Sequence, residues 1–318
     1  MNFKKANFAN DEILKVLEKY YLDFKNVEIK NLEGIANNNY RILSKDFDIV
    51  LKVYSHGQSD YEKIKKEIEA VSLFRKEGIK VPEYIYGLNG EILQEYEGFN
   101  IVAAKYIEGK VLSEIEFTNE LMYEVGTIVA SIEKNARNID ISNFKYISFK
   151  EEFEYVYNGI DKVIFNRGLN INIEELNQYL PQIYNIISKL DSFENKQFLH
   201  KDIWACNLIK TTDNMYLLDF NDWSIGHPVV ELSNALLQFS MYKSGEFNVA
   251  FAKNIINGYK SIKNIEYTPI EIWEGMMFIC YLYFAYNAIQ ADDIFYAEIY
   301  LKRVNTLLKD KLILQGML

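Results

Sequence analysis

Residues 197–231 read QFLHKDIWACNLIKTTDNMYLLDFNDWSIGHPVVE, a short polar-rich stretch that interrupts the helical pattern of the second half of the chain. Two apolar runs, Leu208–Lys210 and Tyr216–Phe220, flank a polar turn at Thr211–Asn214. This alternation of apolar runs and turn residues predicts a short β-hairpin. Loops carried by such hairpins often hold functional side chains, so we look for chemistry at its two ends.

The polar residues around this hairpin have the chemistry that phosphoryl transfer needs. Asp202 and Asn207 form an H-x-D-x(4)-N pattern, and Asp219 follows Asn207 by twelve positions. Phosphoryl transfer uses a carboxylate that accepts the proton of the attacking hydroxyl, and oxygen ligands for Mg²⁺ on the phosphates. Asp202 suits the first role, and Asn207 and Asp219 suit the second. As a short pattern it has an alternative explanation, in which His200 and Asn207 only cap the loop through local hydrogen bonds.

The amino-terminal third has the pattern of a small antiparallel sheet with one main helix. Apolar residues recur at helical spacing from Ile64 to Phe74, and the helix is expected to stop at Gly78, shortly before Pro82. A first helix is expected near Asp11–Leu22. Strands are predicted at Val27–Leu32, Tyr40–Leu43, Ile49–Val53, Glu91–Tyr96 and Asn100–Tyr106.

Beyond a turn at Glu108–Gly109, the pattern changes to long helices. We predict an α+β protein with an amino-terminal lobe over residues 1–104 and a mainly helical lobe over residues 105–318, which contains the hairpin. The predicted helices are Glu114–Asn135, Phe149–Asn166, Ile173–Leu190, Val230–Ser240, Asn248–Ile262, Ile270–Gln290 and Phe295–Lys309.

Composition excludes several classes of protein. A net charge of -10 disfavours nonspecific binding to nucleic acid or anionic membranes and suits a cationic substrate. No stretch approaches the roughly 18 apolar residues of a membrane span, and no apolar segment follows the amino-terminal lysines, so we expect a soluble, cytoplasmic protein. The two cysteines, Cys206 and Cys280, are far apart, and three histidines are too few and scattered for a zinc centre.

The segment HKDIWACN, followed by LLDFNDWSIGHPVVELSNAL, is similar to the catalytic region of the aminoglycoside phosphotransferase and choline kinase superfamily. This superfamily also includes type II homoserine kinases and fructosamine kinases, and the resemblance implies a two-lobed, protein-kinase-like fold. It implies that Asp202 is the catalytic base and that Asn207 and Asp219 are the metal ligands. Glu231 occupies a position that is usually Asp.

The resemblance extends into the first lobe. Ile49-Val50-Leu51-Lys52 looks like the strand whose lysine holds the nucleotide phosphates, and Glu67 matches the helix glutamate that pairs with it. Residues 103–109 look like the hinge, which implies that adenine meets the backbone of Lys105 and Ile107. The loop over the nucleotide would run from Gly34 through Asn39. Without this order and spacing, Lys52 and Glu67 would be interpreted as exposed surface charges.

By this resemblance the chain is an ATP- and Mg²⁺-dependent kinase, with GTP as an alternative nucleotide, that phosphorylates a hydroxyl of a small substrate such as an aminoglycoside, choline, homoserine or a sugar amine. The chain has no G-x-x-x-x-G-K-[ST] motif, which excludes a P-loop kinase. Asp219-Phe220-Asn221 lacks the DFG glycine, and no A-P-E segment follows, which argues against a protein kinase. Asn221 stands where an acidic residue often follows the metal-binding Asp.

Two alternatives stay open at this point. The asparagine-rich nucleotide loop and Asn221 are compatible with a catalytically silent nucleotide-binding protein, or a spore-coat-type structural protein, on the same fold. The aromatic residues of the second lobe either line a pocket for an ammonium group or belong to the core. They are Trp204, Trp223, Trp273, Tyr281, Tyr283 and Tyr286.

Overall fold

The computed structural model describes residues 7–20, 26–32, 37–55, 61–142, 144, 146–158, 177–289 and 293–317. Within these ranges the helices are α1 (Asn10–Leu17), α2 (Tyr61–Lys76), α3 (Asn119–Ala136), α4 (Phe149–Tyr157), α5 (Leu180–Asp191), α6 (Val229–Ser240), α7 (Val249–Lys260), α8 (Pro269–Ile289) and α9 (Ile294–Lys309). Short 3₁₀ turns lie at Glu18–Tyr20, Leu112–Glu114 and Ala205–Asn207. None of the helices in these ranges is long and apolar enough to cross a membrane.

The strands are β1 (Glu28–Leu32), β2 (Asn38–Leu43), β3 (Asp48–Val53), β4 (Tyr84–Ile85), β5 (Gln94–Tyr96), β6 (Phe99–Lys105), β7 (Lys110–Val111), β8 (Gln197–Leu199), β9 (Leu208–Lys210), β10 (Met215–Leu217) and β11 (Ser224–Gly226). The chain divides into two compact units. Unit 1 comprises Met1–Lys110 and Ile209–Asn221, and unit 2 comprises Val111–Leu208 and Asp222–Leu318.

Unit 1 is built on an antiparallel sheet in the order β1-β2-β3-β6-β4, with β5 also paired to β6. The alternation in β3 gives this sheet two different faces, because successive side chains of a strand point to opposite sides. Ile49, Leu51 and Val53 are buried in a cluster with residues of α1. On the other face, Val102 of β6, which is the cross-strand partner of Lys52, packs with Ile64 and Ile68 of α2. Lys52 therefore faces the side of the sheet that α2 covers.

The end of α2 shows how local sequence fixes an element. Gly78 adopts a positive φ of 83°, a conformation that costs glycine little. The amide of Gly78 donates to the Arg75 carbonyl at 2.9 Å, and the amide of Ile79 donates to the Phe74 carbonyl at 3.0 Å. This pair of hydrogen bonds is a Schellman motif, which satisfies carbonyl groups that the helix would otherwise leave unpaired. The predicted stop at Gly78 is confirmed.

Unit 2 is mainly helical, as predicted, and two of its helices approach unusually closely. A Cβ atom placed on Gly126 of α3 would lie 2.0 Å from the Ile255 carbonyl oxygen of α7, and one on Gly258 of α7 would lie 1.9 Å from the Tyr123 carbonyl oxygen of α3. Both glycines are buried. The backbones of α3 and α7 can meet only because these two positions carry no side chain.

The predicted elements differ from the observed ones mainly at their ends. Helix α3 begins at Asn119 instead of Glu114, because the hydroxyl of Thr118 accepts a hydrogen bond from the Leu121 amide and caps it. Helices α4 and α5 cover Phe149–Tyr157 and Leu180–Asp191, so the predicted positions 158 and 177–179 lie outside these two helices. The predicted positions 159–166 and 173–176 lie outside the described residues. The hairpin of β9 and β10 and its turn are confirmed, with the Thr211 amide donating to the Asn214 carbonyl.

Four short strands were not predicted. Strands β4 and β7 have two residues each, too few for any alternation to show. The antiparallel pair β8 and β11 is buried at every position, so neither strand has a polar face that would reveal a period of two.

We expect the Gly126→Ala substitution to lower the free energy of unfolding by about 2 kcal/mol or more, because two helix backbones would have to separate. Urea denaturation monitored by circular dichroism measures this change. The Lys253→Ala variant, on the exposed face of α7, is the control and should change stability by no more than about 0.5 kcal/mol. Equal transition midpoints for the two variants would contradict the close helix contact.

Candidate active site

Lys52 is the centre of a polar cluster in unit 1. Its Nζ lies 3.0 Å from Asp219 Oδ1, 2.9 Å from Asn221 Oδ1 and 3.4 Å from Glu67 Oε1. The ammonium can donate three hydrogen bonds, and these three oxygen atoms are positioned to accept them. The sheet thus supplies the lysine, α2 supplies one oxygen, and the segment that follows β10 supplies two.

Glu67 is buried on α2 and is held from several directions. Its side chain is only 3% exposed, and its Oε1 also accepts a hydrogen bond from the Tyr54 hydroxyl at 3.1 Å. The Tyr84 hydroxyl approaches the same atom at 3.5 Å. A buried carboxylate is costly unless it is paired and hydrogen-bonded, and Lys52 and Tyr54 meet that requirement.

This cluster has two carboxylates for one ammonium, and its electrostatics reflect that excess. Burial acts to lower the pKa of Lys52, but attraction to Asp219 and Glu67 outweighs burial and raises it. Burial raises the pKa of Glu67, and the nearby Asp219 charge acts in the same direction against the pull of Lys52. Lys52 is therefore protonated, and the net negative charge around it favours the binding of a further cation.

Asp219 and its neighbours are fixed by the hairpin that carries them. The Leu217 amide donates to the Lys80 carbonyl at 2.9 Å, and the Phe220 ring packs against Phe74 with centroids 5.8 Å apart. Asp219 itself has a positive φ of 59°, in the left-handed region that non-glycine residues rarely adopt. Its carboxylate is 41% exposed, so it reaches solvent while one oxygen binds Lys52.

In unit 2, Asn207 is hydrogen-bonded directly to Asp202. The Asn207 Nδ2 donates to Asp202 Oδ2 at 2.7 Å and to the Asp202 carbonyl at 2.9 Å. Because an amide group has a donor end and an acceptor end, this orientation turns the Asn207 Oδ1 away from the carboxylate. The contacts with Asp202 therefore fix the direction of the Asn207 Oδ1, which is the atom that could bind a metal ion.

The backbone of the preceding residue, Lys201, is held by three side chains. Its amide donates to Glu231 Oε1 at 2.8 Å, and its carbonyl accepts from Asn234 Nδ2 at 2.8 Å and from the Tyr283 hydroxyl at 3.0 Å. Lys201 has a positive φ of 69°. A left-handed lysine is unfavourable in isolation, and such conformations persist where surrounding contacts determine them, often at functional sites.

The Lys201 side chain and His200 complete the loop. The Lys201 ammonium forms a salt bridge with Glu152 of α4, in which both side chains are at most 20% exposed. His200 is fully buried, and its Nδ1 accepts a hydrogen bond from the Asp202 amide at 3.1 Å. This contact matches the local capping role that the sequence left open for His200.

Glu231 of α6, which holds this loop, has a pKa that burial shifts strongly. Burial raises the pKa of Glu231 to about 8, against the lowering effect of its hydrogen bond from the Lys201 amide. Its second oxygen, Oε2, is buried without a hydrogen-bond partner among the described residues. The carboxyl group that holds the loop therefore gains a proton on folding across the neutral pH range.

The other predicted site residues are placed as follows. Asn39 lies on β2 as the cross-strand partner of Lys52. Lys105 ends β6, where its amide donates to the Glu83 carbonyl and its ammonium pairs with the Glu83 carboxylate, and Ile107 follows two residues later. Gly34 lies outside the described residues.

The structure thus brings Lys52, Glu67 and Asp219 together in unit 1, and Asp202 and Asn207 together in unit 2. Sequence patterns did not reveal Tyr54, Asn234 or Glu152, because a lone tyrosine, asparagine or glutamate within a helix or strand gives no signal. Tyr283 had two interpretations, and its hydroxyl now contacts the Asp202 loop. Trp223, Trp273 and Tyr281 are buried core residues, whereas Tyr286 is 41% exposed.

The described residues contain no group of three or more His, Cys, Asp and Glu side chains that could hold a metal ion. A Mg²⁺ ion on a nucleotide needs only one or two protein ligands, because phosphates and waters complete its shell. Asp219 and Asn207 offer oxygen atoms of the kind that Mg²⁺ prefers, and the net negative charge around Lys52 also fits a cation.

A family model described as the phosphotransferase enzyme family matches residues 28–265, and the chain belongs to that family. Over 199 residues the chain is 20% identical to hydroxylysine kinase of Bos taurus, covering 58% of this chain and 52% of the relative. The chain therefore spans about half the length of that curated relative.

Solved structures of several kinases are also similar to the chain. An amicoumacin kinase in complex with AMP-PNP and Ca²⁺ has a TM-score of 0.70 at 15% identity, covering 95% of this chain and 94% of that one. A microcompartment-associated aminopropanol kinase gives 0.69 at 14% identity, with 97% and 98% covered. Spectinomycin phosphotransferase with ADP and spectinomycin gives 0.66 at 13% identity, with 95% and 99% covered. At these identities the likeness concerns the fold, and the predicted kinase-like fold is confirmed.

Replacement of Glu231 by Gln should change how stability depends on pH. A carboxyl group whose pKa rises from 4.5 to about 8 on folding contributes most stability at low pH and loses that contribution as pH rises toward 8. Glutamine can still accept the Lys201 hydrogen bond but does not titrate. We therefore expect the melting temperature of Glu231→Gln, relative to wild type, to increase from pH 5 to pH 8.

Differential scanning fluorimetry at the two pH values measures this difference. The Glu298→Gln variant, on the exposed face of α9, is the control and should keep a constant difference from wild type. A constant difference for Glu231→Gln as well would contradict the uptake of a proton by Glu231.

Proposed function

We propose that the protein is a small-molecule kinase, which transfers the γ-phosphoryl group of ATP to a hydroxyl group of its substrate. The observation that carries this proposal is the convergence of Glu67 and Asp219 on Lys52 Nζ, at 3.4 and 3.0 Å. A strand lysine that is oriented by a buried helix glutamate is the arrangement that holds nucleotide phosphates in kinases. Membership of the phosphotransferase enzyme family agrees with it.

Asp202 is the proposed catalytic base. In the transfer step, the acceptor oxygen forms a bond to the γ-phosphorus, the bond from that phosphorus to the β–γ bridging oxygen breaks, and ADP leaves. The carboxylate of Asp202 accepts the proton of the acceptor hydroxyl. The hydrogen bond from Asn207 Nδ2 to Asp202 Oδ2 at 2.7 Å supports this role, because it orients the carboxylate.

Asn207 and Asp219 are the proposed metal ligands. When bound, Mg²⁺ would neutralise part of the phosphate charge that develops during transfer. Lys52 would add its own positive charge to the phosphates. Glu67 fixes the position of Lys52, and Tyr54 in turn donates to Glu67.

The backbone of Lys105 and Ile107 is the proposed contact for adenine. The Lys105 amide is directed to Glu83 and the Tyr106 amide to Asp48, which lie on opposite sides of β6. Successive backbone groups of an extended segment alternate in direction. The backbone groups of Lys105 and Ile107, two positions apart, would therefore face the same edge of the segment, where adenine could bind. This proposal includes GTP as an alternative nucleotide.

For the acceptor we propose a small hydroxyl compound that carries a positive charge. Tyr286 is 41% exposed. Partial burial raises the pKa of its hydroxyl, and the nearby carboxylates of Asp222 and Asp202 raise it further. An exposed aromatic face with carboxylates beside it suits an ammonium group. Aminoglycosides, choline, homoserine and sugar amines are all such compounds, and hydroxylysine kinase is among the relatives of the chain.

The base assignment is tested with a screen for nucleotide consumption against amino-alcohols, sugars and aminoglycosides. Once a substrate is found, Asp202→Asn should reduce kcat by about 10²–10⁴-fold while the fold is retained, because the proton acceptor is lost. Asp213→Asn, an exposed aspartate in the turn of the same hairpin, is the matched control and should keep full activity. Undiminished turnover by Asp202→Asn would refute the assignment.

Nucleotide binding is tested separately from turnover. Ligand at 100 times its dissociation constant stabilises a protein by about 2.7 kcal/mol, so saturating ATP with Mg²⁺ should raise the melting temperature of the wild type. Lys52→Met should lose most of this increase, whereas Lys45→Met, in an exposed turn, should keep it. Binding without any turnover would favour a silent nucleotide-binding protein. No stabilisation of the wild type would favour a structural protein on the kinase fold.

A further inference from the structure

The two carboxylate oxygens of Asp202 contact different side chains. Oδ2 accepts the Asn207 amide at 2.7 Å, within the same loop. Oδ1 lies 3.5 Å from the hydroxyl of Tyr283, which comes from the middle of α8, 81 residues further along the chain. The carboxylate is thus braced from its own loop on one side and from a core helix on the other.

The Tyr283 hydroxyl serves two acceptors at once. It donates to the Lys201 carbonyl at 3.0 Å and is also directed toward Asp202 Oδ1 at the longer distance of 3.5 Å. A single hydroxyl proton can be shared between two acceptors or rotate from one to the other. A change in charge on Asp202 can therefore be met by rotation of this hydroxyl, without movement of the backbone.

Three carboxylates surround this hydroxyl. Asp202 faces Tyr283 from its own loop, Asp222 from the turn before β11, and Glu152 from α4. The Lys201 ammonium is nearby but is paired with Glu152. Burial, reinforced by these negative charges, raises the pKa of Tyr283 well above its usual value, so the hydroxyl keeps its proton and remains a donor.

The Tyr283 ring is itself fixed by its surroundings. It packs against the Tyr300 ring with centroids 5.3 Å apart, and the Tyr300 hydroxyl accepts a hydrogen bond from Gln238 Nε2 at 2.9 Å. Helix α8 lies close against α6 at Gly275, where a Cβ atom would be 2.3 Å from Ser233 Oγ. The hydroxyl is therefore presented by rigid helices.

We propose that Tyr283 is a positioning residue for the Asp202 carboxylate, which it orients through Oδ1 for acceptance of the substrate proton. This inference rests on the proposed function, because Asp202 must be the base for Tyr283 to act through it. The group-transfer step is unchanged. The acceptor proton passes to the carboxylate of Asp202, and the Tyr283 hydroxyl retains its own proton throughout.

The chain offers a matched control for this proposal. Asn234 donates to the same Lys201 carbonyl at 2.8 Å, as Tyr283 does, but this hydrogen bond is with the backbone and not with the Asp202 carboxylate. Asn234→Ala therefore removes one brace of the loop backbone. Tyr283→Phe removes a similar brace together with the contact to Oδ1, and it leaves the ring packing on Tyr300 intact.

The experiment compares Tyr283→Phe and Asn234→Ala in steady-state kinetics, with the substrate identified by the screen. For Tyr283→Phe we expect kcat to fall about 3- to 10-fold, as for loss of one hydrogen bond, with KM changed by less than about twofold. Asn234→Ala, which removes a contact to the loop backbone alone, should lower kcat by less than about twofold.

A second arm separates failure of this inference from failure of the proposed function. In the Asp202→Asn background, Tyr283→Phe should cause no further loss of the residual activity, because both changes act on the same group. If Asp202→Asn is inactive but Tyr283→Phe lowers kcat no more than Asn234→Ala does, Tyr283 is only a structural brace. If Asp202→Asn is fully active, the base assignment itself fails. Urea denaturation confirms that each variant is folded.

Discussion

The left-handed backbone at Lys201 is the constraint on which the loop that carries Asp202 in unit 2 depends. A φ of 69° at a lysine costs about 1–3 kcal/mol, and a loop with a free choice of conformation would not adopt it. Glu231, Asn234 and Tyr283 each donate to or accept from the Lys201 backbone, and each bond contributes about 1 kcal/mol. Together these bonds are large enough to offset the strain. Since Asp202 is the next residue, the direction of its carboxylate follows from them.

In unit 1 the corresponding constraint is the charge of Lys52, which has to be balanced by nearby oxygen atoms. Lys52 is surrounded by Glu67, Asp219 and Asn221, so its ammonium has oxygen partners on three sides. A third carboxylate in place of Asn221 would add to the excess of negative charge. An amide oxygen holds the lysine without that addition, which gives Asn221 a physical role that does not depend on acidity. The departure from the more usual acidic residue therefore leaves the lysine well placed.

Burial explains why these two clusters need so many polar partners. Glu67 and Glu231 are both almost inaccessible to solvent, and an unpaired charge there would be very unfavourable. Burial raises the pKa of both glutamates. Glu67 is hydrogen-bonded by an ammonium and a tyrosine hydroxyl, whereas Glu231 is hydrogen-bonded by a backbone amide at one oxygen. The two glutamates thus differ in the partners that stabilise their charged form.

The sequence by itself determined the order of the elements, the hairpin around Thr211–Asn214, the stop of α2 at Gly78 and the residues Asp202, Asn207 and Asp219 as candidates for phosphoryl chemistry. These features depend on local hydrophobic period, turn chemistry and residue type, all of which are visible in a short stretch of chain. The fully buried strands β8 and β11 were missed because they have no polar face. Only the tertiary structure decided that Asn221 contacts Lys52 and that Tyr283 reaches Asp202. Those contacts join residues 169 and 81 positions apart, and no local pattern encodes a distance across a folded core.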